Sequence, residues 1–257
     1  MNEPKKIDAG NIKTDDEHRR DICAVGLWVH EKSLVAATDG NISVRLDPQR
    51  VMTTPTLMSK GMLEPDDLVV VDMQGEQLLG RRKASSELAM HLLIYQRRPD
   101  VNAVVHAHPP TATGYAASGR ALNQALVSEV VLALGCVPLA EYGTPGTEEL
   151  TDALKPLIPL YDAVLMANHG VVTYGADLLT AFMRMETVEH FAKISLVAHQ
   201  LGGAKLLSRE EVGKLAEARE RYFSGQGAPV APLTECCPVT SDPIHACQCD
   251  LHRGRPS

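Results

Sequence analysis

The sequence predicts a layered α/β domain with a substantially antiparallel sheet. Segments with apolar residues at helical spacing are mixed with short runs rich in β-branched residues, and many of these runs are joined by short polar turns. No repeat of fixed length is evident. Short turns between strands favour antiparallel pairing, and the mixture of helices and strands favours packed layers.

The N-terminal half combines two helices with two strand pairs. Apolar residues recur from Asp16 to His30, so we expect an amphipathic helix that ends near Ser33. The segments "NISVRL" and "VMTT" predict strands around the turn "DPQR", and "DLVVVDMQGEQLL" repeats this design around "MQGE". The second helix is predicted to begin at Ser85 or Ser86 and to stop at Pro99.

The C-terminal half alternates strands and helices. "VNAVVHAH" predicts a strand, whereas "LVSEVVLAL" is compatible with a strand or a helix. "TEELTDALKPLI" predicts a helix opened by Thr147, and "DAVLMANHGVVTYG" predicts two strands hinged at "NHG". A long helix is predicted from about Ala176 to Leu201. The last helix is predicted to begin at Ser208, with Glu211 as the acid of a capping box.

One folded domain is expected, because 257 residues suffice to bury a large core. We assign residues 1–14 to a disordered lead, residues 15–228 to the folded domain and residues 229–257 to a flexible tail that begins after a Gly- and Pro-rich boundary. Four cysteines crowd that tail. Their "CC" and "CQC" spacings do not match the paired C-x2-C pattern of a structural zinc module, so we expect no catalytic role for them.

Composition excludes several classes of protein. Hydrophobic residues make up 44% of the chain, yet no apolar run approaches the roughly 20 residues of a membrane helix. The N-terminal stretch lacks the apolar core of a secretory signal, which predicts a cytoplasmic location. A formal net charge of −7 argues against nucleic acid as the main partner, although a local cationic pocket for a phosphate is compatible with it.

Two histidines stand one residue apart in "NAVVHAHPP". Side chains two apart in a strand share a face, so His106 and His108 can reach one ion, or one packs and the other is solvated. His169 in "NHG" is the best third ligand, because it ends a second apolar run before a glycine that allows close backbone approach, although "NHG" is equally well a simple turn. Three imidazoles and an open position are typical of a catalytic divalent metal, most often zinc.

Glu87 is the natural fourth member of this group. It stands at a predicted helix start, where the helix dipole favours its anion, and a carboxylate beside a metal can accept a proton. Ser85 and Ser86 precede it with hydroxyls that suit an anion, although serine at a helix start is more often only a cap.

Two further loops suit an anion. The turn "DGNIS" contains Gly40, Asn41 and Ser43, and its glycine permits backbone N–H groups to approach a phosphate. "TPTLMSKG" contributes Thr56 and Lys60, which either complete a phosphate cradle or belong to a polar surface loop.

Taken in order, the motifs "GNISVR", "TPT", "SSE", "HAHPP", "NHG" and "RMETVEHFAKI" resemble the class II aldolase/adducin family. The resemblance covers roughly residues 16–224, and six ordered motifs are far more specific than any single one. It implies a three-layer α/β/α fold around a mainly antiparallel sheet. It also implies a cyclic homotetramer with active sites at subunit interfaces.

The resemblance implies a role for each motif. His106, His108 and His169 would hold Zn²⁺ or another divalent metal, and Glu87 would be the catalytic acid/base. The residues that would contact the substrate phosphate are Gly40, Asn41, Thr56, Ser85 and Ser86. The implied reaction is the zinc-dependent cleavage of a ketose 1-phosphate, of the fuculose, 5-deoxyribulose or methylthioribulose type, to dihydroxyacetone phosphate and an aldehyde.

Three sites must be compared one by one with the pattern of the family. Leu57 occupies the place of the glycine in the family's Thr-Pro-Thr-Gly loop, which removes room for a backbone N–H to approach a phosphate. Where the aldolases have a proton-donating tyrosine, this chain has Ser128 and Glu129, and Glu129 is either similar to the acid/base glutamate of the family's dehydratases or a surface residue. Tyr222 falls where the aldolases place a catalytic tyrosine that closes over a neighbouring site.

Two other kinds of function stay open. A dehydratase, 4-epimerase or decarboxylase of the same family would act on a similar sugar phosphate with the same metal ligands. Adducin heads keep the fold as a non-catalytic binding module, but such a module has no reason to retain three histidines together with Glu87. The sequence therefore favours an enzyme, without defining the aldehyde half of its substrate.

Overall fold

A single sheet occupies the centre of the structure, a computed structural model that describes residues 13–223. The eight strands found in this range are β1 (Asn41–Arg45), β2 (Arg50–Thr53), β3 (Val69–Asp72), β4 (Gln77–Leu79), β5 (Ala103–Ala107), β6 (Leu139–Ala140), β7 (Ala163–Met166) and β8 (Gly170–Gly175). They lie in the order β4-β3-β2-β1-β5-β8-β7-β6. All neighbours are antiparallel except β6 and β7, which are parallel.

Helices cover both faces of this sheet. In the same range they are α1 (Asp15–Glu31), α2 (Leu88–Arg97), α3 (Pro110–Ala117), α4 (Ser128–Ala133), α5 (Glu148–Leu154), α6 (Leu178–Gln200) and α7 (Arg209–Phe223). On one face, Ile22 of α1 and Phe182 of α6 belong to the same buried cluster as Val105 of β5. On the other face, Ile94 of α2 belongs to a cluster that includes Val104. The predicted three-layer α/β/α fold with a mainly antiparallel sheet is confirmed.

The alternation of β5 and β1 determines which side chains meet beneath α2. Val105 faces α1 and α6, so His106, one residue further, points to the opposite face with Val104. On β1, Asn41 and Ser43 face the same layer, since both contact a side chain of α2. Polar residues of two adjacent strands are thereby brought together under one helix.

The start of α2 differs from the sequence prediction. The helix begins at Leu88 rather than at Ser85 or Ser86, and Glu87 is its N-cap. Ala84 is still paired with Pro55 in an isolated β-bridge, so the chain stays extended up to this point. Ser85 then forms a turn, in which its Oγ accepts a hydrogen bond from the N–H of Glu87 (3.3 Å). Glu87 is therefore at the helix N-terminus, as the dipole argument requires.

The chain after His108 is helical, which the sequence reading missed. Pro109 is the N-cap of α3 and Pro110 is its first residue, a position that suits proline because no helical N–H is needed there. The ambiguous segment "LVSEVVLAL" forms α4. The short strand β6 was also not predicted.

The remaining predicted elements are confirmed with small shifts. Thr147 is the N-cap of α5, and α6 begins after Asp177. Ser208 and Glu211 exchange the two hydrogen bonds of the predicted capping box before α7. In the described residues, no helix combines the length and apolar character that crossing a membrane requires.

Several predictions fall outside the described residues. Of the predicted lead 1–14, only residues 13 and 14 are described, and Thr14 caps α1. The boundary at residue 228 and the cysteine-containing tail 229–257 lie outside that range.

Candidate metal centre and active site

The three predicted metal ligands meet at one point. His106 lies in β5, His108 follows that strand, and His169 lies in the turn between β7 and β8. Their ring centroids are 4.7 to 5.1 Å apart, and one ligand atom of each lies within 4.8 Å of the others. The pairing of β5 with β8 brings the two segments together. The geometry therefore favours three histidines that bind one metal ion over the alternative of histidines with unrelated roles.

Gly170 permits this close approach. A Cβ atom at this position would lie 2.5 Å from Cδ2 of His108 and 2.6 Å from the carbonyl oxygen of Ala107. Both separations are shorter than van der Waals contact, so any side chain would push β8 away from the histidines. The sharp turn before it is completed by Asn168, whose φ of 55° is in the left-handed region that asparagine tolerates.

Glu87 completes the cluster from the opposite side. Its Oε2 lies 3.2 Å from Nε2 of His106, and its Oε1 lies 3.1 Å from Nε2 of His169. Burial alone would raise the pKa of this carboxyl, but the adjacent rings of His106 and His169 hold the pKa well below its usual range. Glu87 is therefore an anion that faces the histidine nitrogens.

The protonation pattern of these groups fits a bound cation. Nδ1 of His106 donates to the carbonyl oxygen of Val171 (2.9 Å), so Nε2 is the nitrogen that is turned toward the cluster. That nitrogen lies 3.1 Å from Nε2 of His108 and 3.2 Å from the Glu87 carboxylate. Burial and the neighbouring rings lower the pKa of His108 to about 4, so a proton does not screen these groups at neutral pH. Three ring nitrogens and a carboxylate this close together are a ligand set that one divalent cation can hold.

Asp39 supports His108 from outside the cluster. Its Oδ2 lies 3.4 Å from Nδ1 of His108. A carboxylate at the outer nitrogen of a histidine ligand favours the tautomer whose Nε2 is free to bind metal. The sequence does not single out Asp39 as a partner of the metal ligands, although it is the first residue of the predicted turn "DGNIS".

The glycine turn is adjacent to the histidines. Gly40 has a φ of 74°, and a Cβ atom there would lie 2.6 Å from the carbonyl oxygen of His106. Asn41 follows it and donates from Nδ2 to Oε2 of Glu87 (2.8 Å). The Asn41 carboxamide oxygen contacts Nε2 of His91 (2.5 Å), a buried residue that the sequence reading also missed. His91 stands four residues after Glu87 on α2, which is the spacing of one helical turn.

The loop that contains Thr56 lies beside the segment that leads to Ser85 and Ser86, two of the predicted phosphate contacts. The backbone N–H of Thr56 donates to the carbonyl oxygen of Lys83 (3.0 Å), which brings the Thr56 loop next to the chain that leads into Ser85 and Ser86. Leu57 has a φ of 55° and is 83% exposed. The backbone thus keeps the left-handed conformation that a glycine would adopt freely at this position.

Lys60 is not available as a surface cation. Its side chain is buried, and Nζ donates to the carbonyl oxygens of Thr38 (3.0 Å) and Met58. Burial lowers its pKa to about 8. Neither alternative predicted for this residue describes it: Lys60 is not on a polar surface, and its ammonium group is bound to backbone carbonyl oxygens instead of being free for a phosphate.

Glu129 and Tyr222 lie apart from the cluster in the single chain. Glu129 is exposed on α4, beside a groove of about 700 Å³ that Lys32 and His190 also line. Tyr222 lies on α7 and is 77% exposed. In the described part of the chain, neither residue forms a hydrogen bond or ion pair with Glu87 or the histidines. Their predicted catalytic roles stay predictions.

Comparison with known proteins places this arrangement in a family. Residues 20–196 match the model of the class II aldolase and adducin N-terminal domain. The chain therefore belongs to the class II aldolase and adducin family, whose aldolases depend on a metal.

Individual relatives carry more than one activity in their names. The chain is 36% identical over 208 residues to 5-deoxy-D-ribulose 1-phosphate aldolase of Bacillus thuringiensis serovar kurstaki, which covers 80% of this chain and 97% of the relative. It is 35% identical over 185 residues to 3-oxo-tetronate 4-phosphate decarboxylase of Haemophilus influenzae, covering 70% and 88%. A solved L-fuculose 1-phosphate aldolase superposes with a TM-score of 0.73 at 34% identity, covering 81% of this chain and 99% of that one.

Proposed function

We propose that this protein is a zinc-dependent aldolase that cleaves a ketose 1-phosphate to dihydroxyacetone phosphate and an aldehyde. The observation that carries the proposal is that ligand atoms of His106, His108 and His169 lie within 4.8 Å of one another, with the Glu87 carboxylate 3.1 to 3.2 Å from Nε2 of His169 and His106. Three imidazoles are a donor set typical of a catalytic zinc ion with an open position. The similarity to two sugar-phosphate aldolases supports the choice of reaction.

The residues of this chain divide the chemistry between them. A divalent cation held by the three histidines would supply a Lewis acid for the carbonyl oxygen of the ketose. In the reaction the C3–C4 bond breaks, the C4 hydroxyl loses its proton and becomes the aldehyde carbonyl, and C3 gains a proton to give dihydroxyacetone phosphate. Glu87, anionic at rest and close to the metal ligands, is the group that we assign to carry a proton to and from C3.

The substrate phosphate is assigned to the polar rim beside Glu87. Gly40 and Asn41 reach this rim from β1, whereas Ser85 and Ser86 reach it from the turn before α2. Thr56 lies on the adjoining loop. Hydroxyls and free backbone N–H groups at the start of a helix suit a phosphate, which supports this assignment.

We further propose that the active enzyme is a homotetramer in the cytoplasm, with Glu129 and Tyr222 acting on the site of a neighbouring subunit. Both residues are exposed in the single chain. Apolar side chains are also exposed along α6, including Leu179, Met183 and Val197. Exposed apolar side chains of this kind are compatible with a surface that becomes buried on association.

Decarboxylation is the second candidate, favoured by the 35% identity to a 3-oxo-tetronate 4-phosphate decarboxylase. Loss of carbon dioxide from such a substrate would leave the same triose phosphate that the aldolase reaction produces. The two reactions therefore share the phosphate and carbonyl contacts and differ only in the leaving fragment.

Product analysis distinguishes these functions. The zinc-loaded protein would be incubated with the 1-phosphates of fuculose, 5-deoxyribulose and methylthioribulose, and with a 3-oxo-tetronate 4-phosphate. We expect dihydroxyacetone phosphate and an equimolar aldehyde from at least one ketose 1-phosphate. If carbon dioxide is released from the oxo acid and no ketose 1-phosphate is cleaved, the assigned function changes from aldolase to decarboxylase. A diketone phosphate without triose phosphate would indicate a dehydratase. Absence of turnover in a protein that retains its metal would favour a binding module.

A further inference from the structure

A chain of hydrogen bonds leads from Glu87 into the core beneath α2. Nδ2 of Asn41 donates to Oε2 of Glu87 (2.8 Å), and Oδ1 of Asn41 lies 2.5 Å from Nε2 of His91. Nδ1 of His91 lies 2.6 Å from Oγ of Ser43, which lies 2.8 Å from the hydroxyl of Tyr95. We call these five residues the Glu87 relay. Its four inner members, from Asn41 to Tyr95, are all buried.

The carboxylate fixes the direction of the first bonds of the relay. An ionised carboxylate only accepts, so the NH2 group of the Asn41 amide must face Glu87 and its oxygen must face His91. Nε2 of His91 must then carry the proton that this oxygen accepts. In a neutral ring Nδ1 is left as an acceptor, and the Ser43 hydroxyl donates to it. Burial lowers the pKa of His91 to about 3, which keeps the ring neutral.

The backbone of β1 and α2 fixes the positions of the side chains in the relay. Asn41 and Ser43 are two residues apart on β1 and therefore point to the same face, while His91 and Tyr95 are four apart on α2 and stack along one side of the helix. The His91 ring is held between the two strand residues by a hydrogen bond at each nitrogen. Its orientation is thus determined from the core outward.

We propose that His91 is a positioning residue, which holds the Asn41 amide in the one orientation that presents an N–H to the Glu87 carboxylate. The proposal rests on the proposed function, because it assigns His91 a part in proton transfer by Glu87. Without the His91 donor, the buried oxygen of the Asn41 amide loses its partner, and the amide keeps only one of the two hydrogen bonds that hold it. A buried acceptor without a partner costs free energy, so the amide shifts to find another donor and the geometry of its N–H to Glu87 is no longer fixed. The second N–H of the Asn41 amide would be displaced at the same time from the assigned phosphate rim.

A pair of variants of similar size and polarity tests this role. In His91→Gln the amide nitrogen takes roughly the place of Nε2 and can still donate to Asn41. In His91→Asn the shorter side chain reaches only toward Ser43, so the donor to Asn41 is lost. We expect His91→Asn to lower kcat/KM by about 10- to 100-fold, whereas His91→Gln retains it within about threefold. Both variants should have a zinc content close to that of the wild type, and their melting temperatures should be similar to each other.

The results separate positioning from a purely structural role. Equal losses in the two variants, or a His91→Asn variant as active as the wild type, would overturn the proposal. A spectroscopic measurement on the wild-type protein needs no activity: ¹⁵N spectra of histidine-labelled protein should show His91 as the Nε2–H tautomer, with the ring resonance assigned by through-bond correlation to the backbone of His91. The Nδ1–H tautomer would contradict the relay even if both variants fail to fold. If no substrate is turned over, the proposed function fails, while the tautomer still decides whether the relay exists.

Discussion

Oε1 of Glu87 lies 3.1 Å from Nε2 of His169, although the two residues come from different layers of the fold. Glu87 is the N-cap of α2, and His169 lies in the turn between β7 and β8. The contact therefore forms only when the helix layer is packed on the completed sheet. It places a carboxylate at the histidine cluster, where it is available for proton transfer.

Glu87→Gln should separate catalysis from metal binding. The amide keeps the size of the side chain but cannot exchange a proton at neutral pH, so we expect kcat to fall by about 10² to 10⁴. Zinc content should remain close to that of the wild type, because the three histidines are intact. Steady-state kinetics and elemental analysis of the same preparation measure both. Glu76→Gln, at an exposed turn, is the matched control and should leave kcat unchanged; full activity in Glu87→Gln would remove Glu87 from the mechanism.

His106→Ala should abolish stoichiometric metal binding. His106 contributes a buried nitrogen at the centre of the cluster, and its loss leaves two imidazoles, too few for a stable zinc site of this kind. Elemental analysis after gel filtration measures the change. His190→Ala removes an exposed histidine of α6 and should retain the wild-type metal content. Equal metal content in the two variants would place the metal elsewhere.

Gly170→Ala should weaken metal binding without removing any ligand. The added Cβ atom would lie 2.5 Å from the His108 ring and 2.6 Å from a backbone oxygen, so the turn that carries His169 must shift. We expect a loss of zinc affinity of at least about tenfold, measured by competition with a chelator. Gly213→Ala is the control, because nothing lies within 4 Å of its new Cβ and alanine favours the surrounding helix by about 0.5 to 1 kcal/mol. Unchanged affinity in Gly170→Ala would mean that the histidine cluster tolerates this shift.

Glu189→Ala should destabilise the region that follows His108. The buried Glu189 carboxylate accepts hydrogen bonds from the backbone N–H groups of Thr111 and Ala112 (2.9 to 3.2 Å) and so caps the start of α3. We expect the free energy of unfolding to fall by about 2 to 4 kcal/mol, since these groups lose a charged acceptor. Chemical denaturation measures it. Glu186→Ala breaks a half-exposed pair with Lys32 and should cost less than about 1 kcal/mol; similar losses in the two variants would contradict the capping role.

The positions that the sequence could predict are those whose chemistry follows from local geometry. His106 and His108 share a face because strand side chains alternate, and Gly170 stands where a sharp turn needs a residue without a side chain. The helix start at Glu87 was predicted to within three residues, because its serines and its periodicity are local signals.

The positions that were missed depend on contacts between distant segments. His91 meets Asn41 across 50 residues, and Glu189 meets Ala112 across 77. Both lie on the buried faces of their helices, and nothing in the neighbouring sequence distinguishes them from ordinary polar residues. Their partners become apparent only when β1 and α3 are packed against these helices. The helix α3, which starts at the second proline of "HPP", has no such local signal, because two consecutive prolines indicate the end of an element although the first helical position also tolerates proline.

Metal titration of the stripped enzyme tests the central claim most directly. Protein freed of metal by a chelator would be titrated with zinc, while formation of dihydroxyacetone phosphate from the preferred ketose 1-phosphate is followed. We predict that the rate starts near zero, rises in proportion to added zinc and saturates at about one ion per chain. A stripped protein that cleaves the substrate at the full rate before zinc is added would contradict the assignment of the three histidines and Glu87 to a metal-dependent lyase site.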